Sequence, residues 1–117
     1  MEAKILAKSS SQPEPYSVVV KWNNNKLSAL CSCPAGEIGQ LCKHKYAVLS
    51  NDRDILYDKK QSEQLNKIFE WVQLSSFPSL LSELEQAEEE KDEAIEKAKK
   101  KYSTVKHKIA RLLSEGV

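Results

Sequence analysis

The chain has 117 residues, of which 30% are charged and 7% aromatic, and its formal net charge is +1. This length suits one small domain with an extension and excludes two full cores with a large enzyme cleft. The near-neutral charge excludes a partner selected by overall charge, whether a nucleic acid or an anionic membrane. Without a secretory signal pattern or an apolar run near the ~18 residues of a membrane span, we expect an intracellular protein, cytoplasmic in a prokaryote or nuclear in a eukaryote.

The first third of the sequence predicts β-strands. Residues 3–8 (AKILAK) are a candidate strand, and residues 16–22 (YSVVVKW) are rich in β-branched and aromatic residues. The alternation in this second segment places four side chains on one face, which we expect to be core: Tyr16, Val18, Val20 and Trp22. Asn23, Asn24 and Asn25 suit a tight turn, and residues 26–33 resume an extended pattern, so we predict a hairpin. Pro13 and Pro15 interrupt the chain before it, which leaves the pairing of the first strand open.

Helical patterns begin near residue 42, where a short helix is predicted to end at Ser50 to Asp52. A second helix follows, because Asp58 and Gln61 resemble a capping box. Its expected core-facing stripe is Leu65, Ile68, Phe69 and Val72. The sequence SSFPS at residues 75–79 then ends that helix and starts another, since proline is tolerated in a first helical turn.

One long helix is predicted from about Ser79 to Ser114, which contains neither glycine nor proline and would span roughly 50 Å at ~1.5 Å per residue. Its apolar residues recur near the 3.5-residue spacing of a coiled coil. We call this row the seam: Leu80, Leu84, Ala87, Ala94, Ala98, Tyr102, Val105, Ile109 and Leu112, with Lys91 interrupting it. Residues 83–96 carry eight acids and one lysine, whereas residues 97–111 carry seven bases and no acid. The alternatives are a solvated helix whose end charges suit its dipole, or a helix folded back on residues 60–74.

All three cysteines and one of the two histidines lie in residues 31–44, CSCPAGEIGQLCKH. Cys31 and Cys33 are two apart at a strand end, so their side chains point to the same side, and Cys42 and His44 stand at the predicted helix start. Three thiolates and one imidazole match tetrahedral Zn²⁺, one ion per chain, and four protein ligands make a closed, structural site. The alternatives are buried apolar cysteines and a catalytic Cys42 and His44 pair, which lacks an orienting third residue.

At these residues the sequence resembles the SWIM zinc finger, whose pattern is CxC, a variable spacer and CxH, with a hairpin before it and a helix after it. The likeness covers roughly residues 3–50 and includes CSCP, a glycine-containing spacer and CKHKYAVL. It implies that Cys31, Cys33, Cys42 and His44 are the zinc ligands and that residues 46–49 form the helix that packs on the hairpin. It also implies binding to DNA or protein partners.

The predicted class is α+β: a zinc-stabilised hairpin and helix module of two or three strands, then a short helix and a long C-terminal helix resembling a coiled coil. We assign residues 1–50 to the zinc module, 51–76 to a linker and short helix, and 77–117 to the long helix. No P-loop or nuclease-like carboxylate cluster occurs, so we expect neither an enzyme nor a small-molecule substrate.

Two function classes follow from these features. The first is a macromolecular adaptor, in which the zinc module recognises a macromolecule and the long helix pairs with itself or with a partner helix. The second is a nucleic-acid-binding protein. Its candidate phosphate contacts are Lys21, Lys26, Lys43 and Lys45 around the zinc module and Lys99, Lys100 and Lys101 in the helix, within a basic stretch that also includes Lys97, Lys106, Lys108 and Arg111.

Overall fold

The computed structural model describes residues 1–117 and confirms the α+β class. The strands are β1 (Glu2–Ala7), β2 (Tyr16–Asn23) and β3 (Lys26–Cys31). The helices are α1 (Pro34–Glu37), α2 (Lys43–Leu49), α3 (Ser62–Leu74) and α4 (Phe77–Glu115), with short 3-10 turns at Arg53–Ile55 and Lys59–Gln61. None of these helices combines the length and the apolar character that crossing a lipid bilayer requires.

The three strands form one antiparallel sheet in the order β1-β2-β3. The predicted hairpin is β2 and β3, and its two central turn residues, Asn24 and Asn25, have φ values of 52° and 60°. Asparagine tolerates this left-handed conformation, which the tightest hairpin turns require at both positions. The pairing of the first strand, which the sequence left open, is antiparallel to β2, with Ile5 opposite Val18.

The core lies between one face of the sheet and helices α2 and α3. The predicted alternation in β2 is confirmed, because Val18, Val20 and Trp22 are buried and Tyr16 is half-buried. In α3 the predicted stripe is only partly correct, since Phe69 is 42% exposed and Trp71 is buried in its stead. At 100° per residue, Trp71 extends the buried face of Leu65, Ile68 and Val72 on one side, whereas Phe69 lies at its opposite margin.

The predicted capping box at Asp58 and Gln61 is wrong. The Asp58 carboxylate accepts the N–H of Lys60 at 3.0 Å and caps a 3-10 turn, and α3 begins only at Ser62. The Gln61 side chain instead reaches Leu6 in β1, 55 residues away: its Oε1 accepts the Leu6 N–H at 2.6 Å and its Nε2 donates to the Leu6 carbonyl at 3.2 Å. Gln61 therefore pairs with the outer edge of β1 as a neighbouring strand would.

Replacing Gln61 with glutamate should test this contact. The Gln61→Glu variant loses both donated hydrogen bonds and places a carboxylate beside the carbonyls of Leu6 and Asp58. We expect the free energy of unfolding to fall by about 1–3 kcal/mol, the cost of leaving partly buried polar groups unpaired. Chemical denaturation followed by tryptophan fluorescence measures this loss. Gln64→Glu, a change of the same kind in the first turn of α3, is the control and should cost less.

The chain divides into two compact units, residues Met1–Pro78 and Ser79–Val117. The sequence placed the end of the zinc module at residue 50, whereas the first unit extends to Pro78 because Leu65, Ile68 and Val72 of α3 belong to the same core as the sheet. The second unit is the greater part of α4. This helix ends before Gly116, which has a φ of 94°, the left-handed conformation in which glycine commonly ends a helix.

Candidate metal centre

The two cysteines of the CxC motif leave the sheet together. Cys31 is the last residue of β3, and Cys33 is the N-cap of α1, a four-residue turn that the sequence analysis did not predict. Pro34 is the first residue of this turn, where the missing N–H of proline costs nothing. Cys42 is the N-cap of α2 and His44 lies in its first turn, as predicted. All four side chains are buried, with between 4% and 6% of each residue exposed.

Backbone N–H groups point at two of the sulfur atoms. Gly36 donates to Cys33 Sγ at 3.2 Å, and Lys45 donates to Cys42 Sγ at 3.3 Å. Each bond joins an N-cap side chain to an N–H three residues later, which is the capping geometry that serine or aspartate gives in other helices. Because both donors stabilise a thiolate more than a thiol, each half of the motif is prepared to hold negative charge.

The donor atoms of the four residues lie within 4.8 Å of one another. A tetrahedral zinc ion with Zn–S bonds of about 2.3 Å and a Zn–N bond of about 2.0 Å reaches four such donors at once. His44 provides the test of fit, because both of its ring nitrogens are buried and neither has a hydrogen-bond partner. Buried polar atoms are rarely left unpaired, and a metal bond to one nitrogen satisfies that atom. The Cys3His cluster therefore fits one structural zinc ion.

The ionisation of these groups also favours a cation at the centre. Burial, together with the neighbouring thiols, raises the pKa of Cys31 to about 12. Burial acts to raise the pKa of Cys33 as well, but the Gly36 N–H and hydrogen bonds from Cys31 and Cys42 outweigh it, so this pKa lies below its usual value. Burial and then the charge of Lys43 lower the pKa of His44 and favour the neutral imidazole that a metal needs. Without a cation the site thus disfavours the Cys31 thiolate, and a divalent ion would offset its charge.

Two neighbours of the site escaped the sequence analysis. The ring of Tyr16, which was expected simply in the core, lies against the His44 imidazole with ring centroids 5.1 Å apart and planes tilted by 57°. The Lys43 ammonium donates to the Ser10 hydroxyl in the loop between β1 and β2. A cavity of about 450 Å³ beside the cluster is lined by Tyr16, Lys43 and residues Ser9–Ser11. The strand position of Tyr16 suggested burial, but no local pattern indicates a contact 28 residues along the chain.

The lysines proposed as phosphate contacts occupy different settings. Lys21 is exposed and forms an ion pair with Glu2 at 3.6 Å, and Lys26 is exposed at the end of the hairpin. Lys43 is exposed, whereas Lys45 is only 8% exposed, which leaves it little surface to offer a phosphate. The three helix lysines, 99–101, are exposed on α4.

A closed Cys3His cluster at the end of a hairpin and the start of a helix defines a small structural zinc-binding module. The comparison with protein families agrees: residues 18–52 match the model described as SWIM zinc finger, so the resemblance noted at residues 31–44 is confirmed for this segment. No curated protein matches the chain, and no solved structure does. The family match stops at residue 52, before α3 and α4.

Proposed function

We propose that this protein is a macromolecular adaptor, in which the zinc module recognises another macromolecule and α4 associates with a second helix. One observation carries the proposal: the chain pairs a compact zinc unit, Met1–Pro78, with a helix of 39 residues that has an apolar seam and no buried residue. A helix with an apolar stripe gains most of its stability by covering that stripe. A non-enzymatic role belongs to this proposal, because four protein ligands leave the metal no open position for a substrate. An intracellular location also belongs to it, because clustered free cysteines suit a reducing compartment.

The loop that the zinc ion closes offers the recognition surface. Ile38 and Leu41 lie between the two halves of the motif and are 72% and 56% exposed. Leu30, at the adjacent end of β3, is 65% exposed. Apolar side chains on a loop fixed by metal lose little conformational entropy when a partner covers them. This supports a protein partner for the zinc module.

Capture from the native cell extract tests the recognition by the module. The full chain, with and without nuclease, should retain its partner, and the double variant Ile38→Ser with Leu41→Ser should lose it. Leu74→Ser is the matched control, because Leu74 is also 72% exposed but lies at the end of α3. Equal capture by the double variant and the control would contradict recognition through the zinc loop.

A second candidate function, nucleic-acid binding, is favoured by the lysines at 99–101, which are exposed and lie in a basic stretch without acids. Against it, residues 83–96 of the same helix carry eight acids, and both tryptophans, Trp22 and Trp71, are buried. We therefore expect weak binding to duplex DNA at physiological salt.

A salt titration separates the two functions. If the basic stretch neutralises phosphates, the logarithm of the association constant should fall with the logarithm of salt at a slope near −0.9 per phosphate contacted. We expect binding of the full chain to DNA and RNA to be weaker than about 10 μM at physiological salt of ~0.15 M. The test variant is Lys99, Lys100 and Lys101→Ala, and the control is Lys59, Lys60 and Lys67→Ala, which removes three exposed charges of the first unit. Submicromolar binding that only the first variant abolishes would favour the nucleic-acid function.

A further inference from the structure

The seam of α4 consists of exposed or half-buried residues. No residue of this helix is buried, and its larger apolar side chains are substantially exposed: Ile95 by 44%, Val105 by 47% and Ile109 by 52%. The helix has 39 residues and a length of about 58 Å at 1.5 Å per residue. A long seam of this kind matches the contact surface of a two-stranded coiled coil.

The spacing of the seam is nearly the same in both directions. From Leu80 to Leu112, counting Lys91, successive seam residues are separated by 4-3-4-3-4-4-3-4-3 residues. Read from Leu112 back to Leu80, the separations are 3-4-3-4-4-3-4-3-4, so corresponding positions differ by at most one residue. When a second copy runs antiparallel, each seam position therefore meets another seam position. Leu80 meets Leu112 and Leu84 meets Ile109, which places the largest apolar side chains at the two ends of the contact.

The centre of the seam is also matched in this arrangement. Ala94 of one helix meets Ala98 of the other, so the backbones approach closely where the side chains are smallest. Lys91, which interrupts the seam, meets Tyr102 rather than its own copy. Within one helix the Tyr102 ring already accepts a lysine ammonium, that of Lys106, at 5.5 Å from its centroid. In a parallel pair, Lys91 would face Lys91 across the interface.

The charges of α4 change sign at the same place. The two residue numbers of each seam pair add up to 192 or 193, so the midpoint of the contact lies at residues 96 and 97. This midpoint is also the boundary between the acidic stretch 83–96 and the basic stretch 97–111. None of these charged side chains forms an ion pair within the chain, where the one ion pair joins Glu2 and Lys21. An antiparallel pair sets each acidic stretch beside a basic one, whereas a parallel pair sets like charges together along both stretches.

We propose that the seam of α4 binds a second copy of this chain in an antiparallel coiled coil that crosses at residues 96 and 97. The apolar pairs supply most of the attraction, and the charges select the orientation, because each exposed ion pair contributes little by itself. This inference rests on the proposed adaptor function, in which α4 associates with a second helix. It identifies that helix as α4 of a second copy.

Sedimentation of the full chain at tens of micromolar tests the pairing. We expect a dimer, and we expect Ile109→Asp to raise its dissociation constant about 100-fold or more, because an unpaired charge would enter the seam. Ala110→Asp is the matched control, because Ala110 directly follows Ile109 but faces away from the seam. An aspartate there has the same unfavourable interaction with the negative C-terminal end of the helix dipole, and it should change the dissociation constant less than about threefold. A monomer at this concentration, or equal effects of both variants, would overturn the proposal.

Cross-linking decides the orientation. A mixture of isotope-labelled and unlabelled full chains, treated with a zero-length carboxyl-to-amine reagent, should give links between Glu83 of one chain and Lys108 of the other, since each residue directly precedes a seam residue and flanks the contact. These residues are 25 positions apart, which is about 38 Å along a single helix or a parallel pair and is out of reach there. Interchain links confined to the neighbourhood of residues 96 and 97 would indicate a parallel pair and would overturn the proposal.

The experiments distinguish an error in the antiparallel dimer from an error in the adaptor function. If the full chain is monomeric yet still captures a macromolecular partner through the zinc loop, the adaptor function stands and the antiparallel dimer is wrong. If the dimer forms with the expected links and the zinc loop captures nothing, the inference stands and the adaptor function is wrong.

Discussion

Cys33→Ser should abolish zinc retention and unfold the first unit of the chain. Structural zinc in small folds has an apparent binding free energy of about 10–16 kcal/mol, which is as large as the whole stability of a small domain. The four ligand residues are themselves almost fully buried, and three of them belong to the core cluster. Loss of the metal therefore leaves buried polar atoms unpaired inside the core as well as removing a cross-link.

Metal analysis and spectroscopy check this prediction. The parent chain should hold one zinc per chain, and the variant none. Amide signals of the sheet, α2 and α3 should lose their dispersion, because α3 shares the core with the sheet, while helical signal from α4 largely survives. Ser32→Ala is the control within the same motif: it removes a hydroxyl that accepts the Ser17 N–H at 2.9 Å and should cost only about 1 kcal/mol. A fold indifferent to chelator, or one without zinc, would contradict the prediction.

Gly36→Ala should also damage the metal centre, although the residue is not a ligand. A Cβ at this position would lie 2.5 Å from the carbonyl oxygen of Cys31 and 2.7 Å from its Cβ, so the α1 turn must move away from β3. That movement displaces the N–H that donates to Cys33 Sγ. Overpacking of this kind typically costs 1–3 kcal/mol and occasionally more, and we expect zinc affinity to fall by about tenfold to more than a hundredfold.

The control for this variant is Gly39→Ala in the same spacer. Gly39 has a φ of 80°, so alanine there is strained by roughly 1–2 kcal/mol, but nothing lies within 4 Å of the added Cβ. Competition with a chromophoric chelator measures the zinc affinity of both variants, and thermal unfolding measures their stability. A Gly39→Ala variant that loses as much zinc affinity as Gly36→Ala would show that backbone strain rather than the contact with Cys31 governs the site.

The parts of this protein that could be predicted from sequence are those set by neighbouring residues. The hairpin follows from alternation in β2 and from Asn24 and Asn25, and the ligand cluster follows from two-residue spacings on a strand and at a helix start. The long helix follows from periodicity and from the absence of glycine and proline. Each of these features is encoded within a few residues of where it forms.

The features that could not be predicted depend on distant residues. The capping pattern at Asp58 and Gln61 was misleading because Gln61 bonds to Leu6, and a tertiary contact prevailed over a local motif. The position of α3 in the core, and with it the exchange of Phe69 for Trp71, depends on the sheet and α2 that it packs against. The approach of Gly36 to Cys31 likewise appears only in three dimensions.

The short span of the ligand set bears on how the zinc unit assembles. All four ligands lie within fourteen consecutive residues, so an ion that joins them closes only short loops, and the entropy of loop closure rises with loop length. The contact of Gln61 with Leu6 closes 55 residues. Folding slows as contacts become more distant in sequence. We therefore expect the ion to be captured before α3 docks on β1.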